Sequence, residues 1–339
     1  MLGIWRDQTN MQPAMRHLFL CVALAAIGHP AIASADEPAS QPDTAAIDQL
    51  IRQLDDDAFE VRRQAQHELT ELGESALPAV RAALQSPSAE VRSRAREIVR
   101  QVEHERLLRE FRQLALPTSD AAIDLEAGLV LAAQIIEPSV RREQVTAELD
   151  ALAERVRKRL NVAPKEADPR LAVETLRQVL FVEEGFDGNR HDYENPANSS
   201  IGYVLTSKRG LPILLSQVVI AVGRRLELPL VGLALPGRFM VRYDDRRVVD
   251  AAARVDLVID PFDSGKILSL RELREYLPDL SADAETLRRI LEPAGNRQTL
   301  VRVLNNISAA YANKGDHRRS VDVEAYRDVI FRESEDVAH

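Results

Sequence analysis

Apolar and polar positions follow two different periods along this chain of 339 residues. Between Pro212 and Leu226 the run is apolar and carries no charge until Arg224, with proline at its first position, which predicts a helix buried on most sides. After Pro229 the period shortens. Val231–Leu235, Phe239–Tyr243 and Leu257–Asp260 are β-type runs bounded by Pro-Gly, Asp-Asp and Pro-Phe-Asp, which predict strands. Upstream, helical spacing puts Leu125, Leu129, Leu131 and Ala132 on one apolar face and Leu149, Leu152, Val156 and Leu160 on another, with Pro138 at the break. Glu126, on the first of these helices, is expected to face solvent as a hydrated charge. Downstream, Leu268–Leu277, entered by Ser269, and Ala282–Leu291 are predicted short helices. Leu300–Tyr311 and Ser320–Phe331 flank the turn Lys314-Gly315-Asp316 and read as an amphipathic pair.

An internal repeat occupies the N-terminal part. LDDDAFEVRRQA, starting at Leu54, returns as LQSPSAEVRSRA at Leu84. Each unit reads as a helix, an Asp/Ser/Pro turn and a second helix from Glu-Val-Arg, with Gly73 closing the first unit. The pattern resembles HEAT-like repeats, in which the Val and Ala of V-R-x-x-A face the core and the Arg covers the turn. Two units need a neighbour to bury their faces, and the following helix, Glu103–Leu114, is expected to supply it. The concave surface of such an array suits a protein or peptide partner; capping of the next domain is the alternative.

The first thirty-five residues have another character. Arg6, Arg16 and His17 precede the apolar run Leu18–Ile27, and Ala33-Ser34-Ala35 forms a small-x-small site, which predicts a secretory signal cleaved after Ala35 and no transmembrane anchor thereafter. Leu20 before Cys21 does not fit a lipoprotein attachment site. Loss of this segment takes Arg6, Arg16 and Asp7 and leaves 42 basic and 52 acidic residues. It also removes the single Cys and the single Trp, so the mature chain has no disulfide, thiol nucleophile or thiolate metal site. An acidic chain poor in aromatics is a poor fit to nucleic acid. The expected location is the periplasm or the medium.

The central segment carries an ordered series of motifs: Gly185-Phe186-x-Gly188-Asn189, Asp192-Tyr193, Pro196-x-Asn198-Ser199, Arg209-Gly210-x-Pro212-x-x-Leu215-Ser216, Pro236-Gly237-Arg238-Phe239 and Ile259-Asp260-Pro261-Phe262-Asp263-x-Gly265. This series resembles the SirB1 N-terminal (transglutaminase-like) family over about residues 120–315. The resemblance implies an α+β, transglutaminase-like (papain-like) module at residues 119–295. It would follow a signal peptide at 1–35, a linker at 36–44 and the HEAT-like helical region at 45–115, and precede a tetratricopeptide-like helical hairpin and tail at 296–339. It also places the family's cysteine on Pro212, its histidine on Arg238 and its aspartate on Asp260. A Cys-His-Asp site needs a thiolate, a proton-transferring imidazole and a carboxylate that orients it. Proline offers no nucleophile and arginine stays protonated, so of the three only Asp260 is kept and no cysteine-type catalysis is expected.

Other residues carry candidate chemistry. Ser216 lies one helical turn beyond Pro212, and His191 is the only histidine of the mature central module, so a Ser216–His191–Asp260 arrangement is the enzymatic alternative. A buried serine bonded to a carbonyl one turn back is the plainer expectation. His191 beside Asp187 and Asp192 lacks a second imidazole or thiolate, so neither metal nor cofactor is expected. Arg238 and the start of the Pro212 helix would suit a carboxylate ligand, unless Asp260 takes Arg238 in an internal ion pair. Asp192, Tyr193 and Asn198 join Arg238 as binding candidates, with Asn198-Ser199 expected to cap the next helix and Tyr193 to pack beneath it. The resulting expectation is an exported, non-catalytic module that binds or scaffolds a protein or peptide. The alternatives are a peptide amide hydrolase or acyl transferase working around Ser216, and an accessory or chaperone-like subunit of an envelope enzyme.

Overall fold

The structure, a computed structural model, describes residues 44–245, 255, 257–276 and 291–332. The expected signal segment, nearly all of the linker, most of the arginine-rich stretch before Leu257 and the helix expected at Ala282–Leu291, save its last residue, lie outside them. Helices α1 (Thr44–Gln53), α2 (Phe59–Glu71), α3 (Leu77–Ala83) and α4 (Ala89–Ala115) open the described chain. Their buried residues, among them Leu54, Ala65, Leu69, Val91, Ala95 and Ile98, form one core. The thirty-residue repeat is matched by repeated contacts. Arg62 donates from Nη1 to the carbonyls of Asp56 and Asp57, and Arg92 does the same to Ser86 and Pro87. Each arginine closes the turn that precedes its helix.

Instead of ending near Val102, as the repeat implied, α4 continues to Ala115 as one helix of 27 residues. No Gly or Pro interrupts it, and Arg106 ties Glu103 at 3.0 Å and Glu110 at 2.7 Å along its surface. Up to Val102 it contributes to the first core; from Leu107 it enters a second, larger one. A single rod therefore runs through both cores.

The larger core gathers α5 (Leu125–Ile136), α6 (Arg142–Leu160), α7 (Pro169–Arg177), α8 (Ile201–Ser207) and α9 (Pro212–Arg225). Asp124 caps α5 by accepting from the Ala127 amide, and Asp168 caps α7 with Pro169 as its first residue. Asp187–Gly188 (β1) and Arg209–Gly210 (β2) form a short parallel pair. Four antiparallel strands follow in the order β3 (Leu230–Leu235), β4 (Arg238–Tyr243), β5 (Val258–Asp260) and β6 (Lys266–Leu268). β3 and β4 join through a two-residue turn, Pro236-Gly237, with Gly237 at φ +66°. The sheet is covered on both sides: Phe239, Val241 and Ile259 belong to the α9 core, while Leu233, Met240, Val258 and Leu268 form a separate cluster with Leu273 of α10 (Leu270–Tyr276). Ser269 and Glu272 cap α10 reciprocally.

The terminal pair, Asn296–Asn313 and His317–Arg332, packs on α4 and α5. Asp120 caps its first helix through the amides of Asn296 and Arg297, and the nine-tenths-buried Arg297 donates to the carbonyls of Ala115, Pro117 and Ile330. This hairpin is built into the domain. Helices and small sheets make the described chain α+β, and no described helix is long and apolar enough to cross a membrane.

Candidate functional site

Pro212 is the first residue of α9, and Leu211 before it is extended (φ −75°, ψ 157°), as a residue preceding proline prefers. No side chain caps this helix start. Ser216, one turn on, is completely buried, and its hydroxyl donates to the Phe239 carbonyl at 3.1 Å. The acceptor is thus on β4 and not one turn back in the helix, because the serine side chain points into the sheet that α9 covers.

Arg238 begins β4 and Asp260 ends β5, which brings them together along the edge formed by the ends of the two central strands. The Arg238 Nη1 donates to Asp260 Oδ2 at 2.7 Å. Asp260 is buried to 1% exposure, and its Oδ1 accepts from the Phe262 amide at 3.1 Å. Burial pushes the Asp260 carboxyl above its ordinary range, against the pull of the Arg238 charge. The pair is further braced by Arg302, on the Asn296–Asn313 helix. Its Nη2 donates to the carbonyls of Leu235 and Arg238, and its guanidinium lies 5.6 Å from the Phe239 ring centre. Sequence reasoning missed Arg302, which sits in an ordinary amphipathic pattern with nothing to set it apart.

The loop after β1 faces this edge. Asn198 is fully buried; its Nδ2 donates to the Tyr193 carbonyl and its Oδ1 accepts from Asn189 Nδ2 at 2.8 Å. Asp192 accepts from Asn195 Nδ2 at 2.8 Å. Both residues are spent on shaping the loop. The helix caps are Asn195, for the turn at Pro196–Ser199, and Ser200, for α8; Asn198 and Ser199 cap neither. Ser199 Oγ is buried without a hydrogen-bond partner among the described residues. Tyr193 is half exposed and meets Phe262 edge-on at 6.0 Å rather than packing beneath the helix. Arg190 lies 4.9 Å over the other aromatic partner, Phe262, and donates to its carbonyl at 2.6 Å. His191 is exposed, so the structure does not join it to the buried Ser216. Among the described residues, no three His, Cys, Asp or Glu side chains gather as a metal site would require.

Glu126 departs from its expected solvent-facing role. Its two oxygens accept from Arg225 Nη1 and Nη2 at 3.0 and 3.1 Å, and Oε1 also accepts from Thr146. Partial burial works against its charge, yet the bonds from Arg225 and Thr146 hold the carboxyl below its ordinary range. The contact ties α5 to the end of α9.

With this geometry in view, the relationship to known proteins is informative. The transglutaminase-like superfamily matches residues 143–305, from α6 into the Asn296–Asn313 helix, so this part of the chain is a transglutaminase-like domain. The chain is similar to a UPF0162 protein of Xylella fastidiosa (strain Temecula1), 39% identical over 147 residues that cover 42% of this chain and 50% of that protein. A UPF0162 protein of Vibrio cholerae is 26% identical over 156 residues, 46% of this chain and 54% of its own. F-box only protein 21 of Mus musculus is 34% identical over 106 residues, 31% of this chain and 17% of its own. The chain thus spans about half the length of the UPF0162 relatives it matches. No solved structure matches it.

Proposed function

We propose that this chain is an exported, non-catalytic transglutaminase-like protein of the SirB1 type that binds or scaffolds a protein or peptide, with HEAT-like repeats before the domain and a tetratricopeptide-like hairpin after it. The observation that carries the reading is the Arg238–Asp260 bond at 2.7 Å. At the position where a cysteine site needs an imidazole, the buried aspartate holds a guanidinium, which keeps its proton and cannot act as a base. Ser216, the alternative nucleophile, already donates to a backbone carbonyl. A binding role is supported by a groove of about 550 Å³ between α1 and α2, lined by Leu50 and Val61 among glutamines and glutamates. Export rests on the basic-apolar-small pattern of residues 1–35.

The reading is tested by incubating the full chain with fluorogenic peptide amides, with and without a primary amine acceptor. No turnover above buffer is expected. Turnover that Asp260→Asn or Ser216→Ala abolishes would overturn it. N-terminal sequencing of the chain recovered from an expressing bacterium's periplasm should begin at Asp36; recovery only as the intact cytoplasmic chain would remove the export part.

A further inference from the structure

A charged cleft lies away from the Arg238 edge. It holds about 530 Å³ where α4, the end of α5 and the His317–Arg332 helix meet, and none of its lining residues falls within the transglutaminase-like match at 143–305. Val99, Leu107, Ile135, Ile136 and Pro138 give it apolar surface. Arg96, Arg100 and His104 enter it from α4, and Arg318 and Arg319 from the terminal helix.

The balance of charge inside is what sets it apart. Three carboxylates line the cleft, and each is already taken. Glu97 accepts from Arg100 and Arg318, Asp322 accepts from Arg100 at 2.9 Å, and Glu103 is held by Arg106 and Arg81, which do not line the cleft. Arg96, by contrast, is exposed and has no partner among the described residues. Cationic donors therefore exceed anionic acceptors locally, in a chain whose net charge is −9. The cleft is also held in shape: His104 Nδ1 shares a hydrogen bond of 2.7 Å with the Tyr326 hydroxyl, and the buried Tyr326 ring stacks on Phe111 at 5.3 Å. A preformed cavity of this size, apolar in part and with convergent unspent donors, has the make-up of a small-molecule site.

We propose that this cleft binds an organic anion in which a carboxylate, sulfonate or phosphate group is carried on an apolar body. The acidic head meets Arg96 and the remaining donors of Arg318, and the body lies against Ile135, Ile136 and Val99. A guanidinium presents five N–H donors, and Arg318 has spent only one nitrogen, Nη2, on Glu97. The site stands whether or not the Arg238 edge turns over a substrate, since the two share no residue.

The test titrates the full chain with 8-anilinonaphthalene-1-sulfonate and, in parallel, with its uncharged counterpart N-phenyl-1-naphthylamine. Saturable binding of the sulfonate is expected, weakened about tenfold or more by Arg96→Glu and by Arg318→Glu, with the neutral probe changed less than twofold. Arg96→Ala, a truncation at an exposed position, should weaken the sulfonate to a smaller degree in the same direction. Far- and near-ultraviolet circular dichroism of each variant checks that it is folded. Sulfonate binding that is unsaturable, or that is the same in folded Arg96→Glu, Arg318→Glu and wild type, overturns the proposal, as does an equal loss of both probes.

Discussion

The Arg238 guanidinium donates to Asp260 at 2.7 Å, with the acceptor almost wholly buried and the donor side chain 37% exposed. Arg238→Ala leaves a buried carboxylate without this cation. Because the pair is open to water on one side, a loss of about 1–3 kcal/mol in the stability of the chain to urea is expected at pH 7. Burial raises Asp260 above its unfolded value, so the folded state favours its protonated form. The penalty of Arg238→Ala should therefore shrink as pH falls through the folded-state titration of Asp260. Urea midpoints at pH 7 and pH 4 measure this, and an equal loss at both would contradict it.

Glu126→Gln tests the opposite sign. The Glu126 carboxyl is held below its unfolded value, so its contribution is present above that value and is lost as pH falls through the folded one. Losing the two-pronged bond to Arg225 should cost about 1–3 kcal/mol at pH 7. In acid, wild type and variant should converge. Paired urea titrations across pH 7 to pH 3 give the comparison.

If Pro212 and Arg238 stand where the proposed reading puts a cysteine and a histidine, a thiol and an imidazole introduced there should interact. In Pro212→Cys/Arg238→His, a thiol at the start of α9 would face an imidazole held by Asp260, which favours the thiolate. Iodoacetamide labelling of the peptide containing residue 212, read by mass spectrometry at pH 6, should be roughly tenfold faster than in Pro212→Cys alone. Peptide mapping separates this site from Cys21. Equal rates would mean that residue 238 does not face residue 212.

Gly265 turns the chain from β5 into β6 at φ +69°, and a Cβ there would lie 2.2 Å from the Phe181 ring. Gly265→Ala combines left-handed strain with a clash against a buried aromatic, and about 2–4 kcal/mol of stability should be lost. Thermal unfolding would report it as a lowered midpoint; an unchanged midpoint would show that Phe181 moves aside freely.

Which parts of this were legible in the sequence follows from the range of the forces involved. The buried helix beginning at Pro212, the strands around Phe239 and Ile259, and the turn at Pro236-Gly237 were readable because period, proline and glycine act over a few residues. The V-R arginines were readable in the same way, since each binds the turn five or six residues behind it. The unbroken α4 was missed because the sequence repeat implied a boundary that no helix-breaking residue enforces.

Sequence by itself determined the residue types at the site: a proline opening a buried helix, an arginine after a Pro-Gly turn and an aspartate at the end of a short strand. Only the tertiary structure decided what those residues do to one another. The ion pair between Arg238 and Asp260 spans 22 positions, the bond from Ser216 to Phe239 spans 23, and the Arg225–Glu126 pair spans 99. Arg302 reaches the Arg238 carbonyl from 64 residues away. Hydrogen bonds and ion pairs depend on a few tenths of an ångström, and such distances are set by how elements pack, which local propensity does not encode.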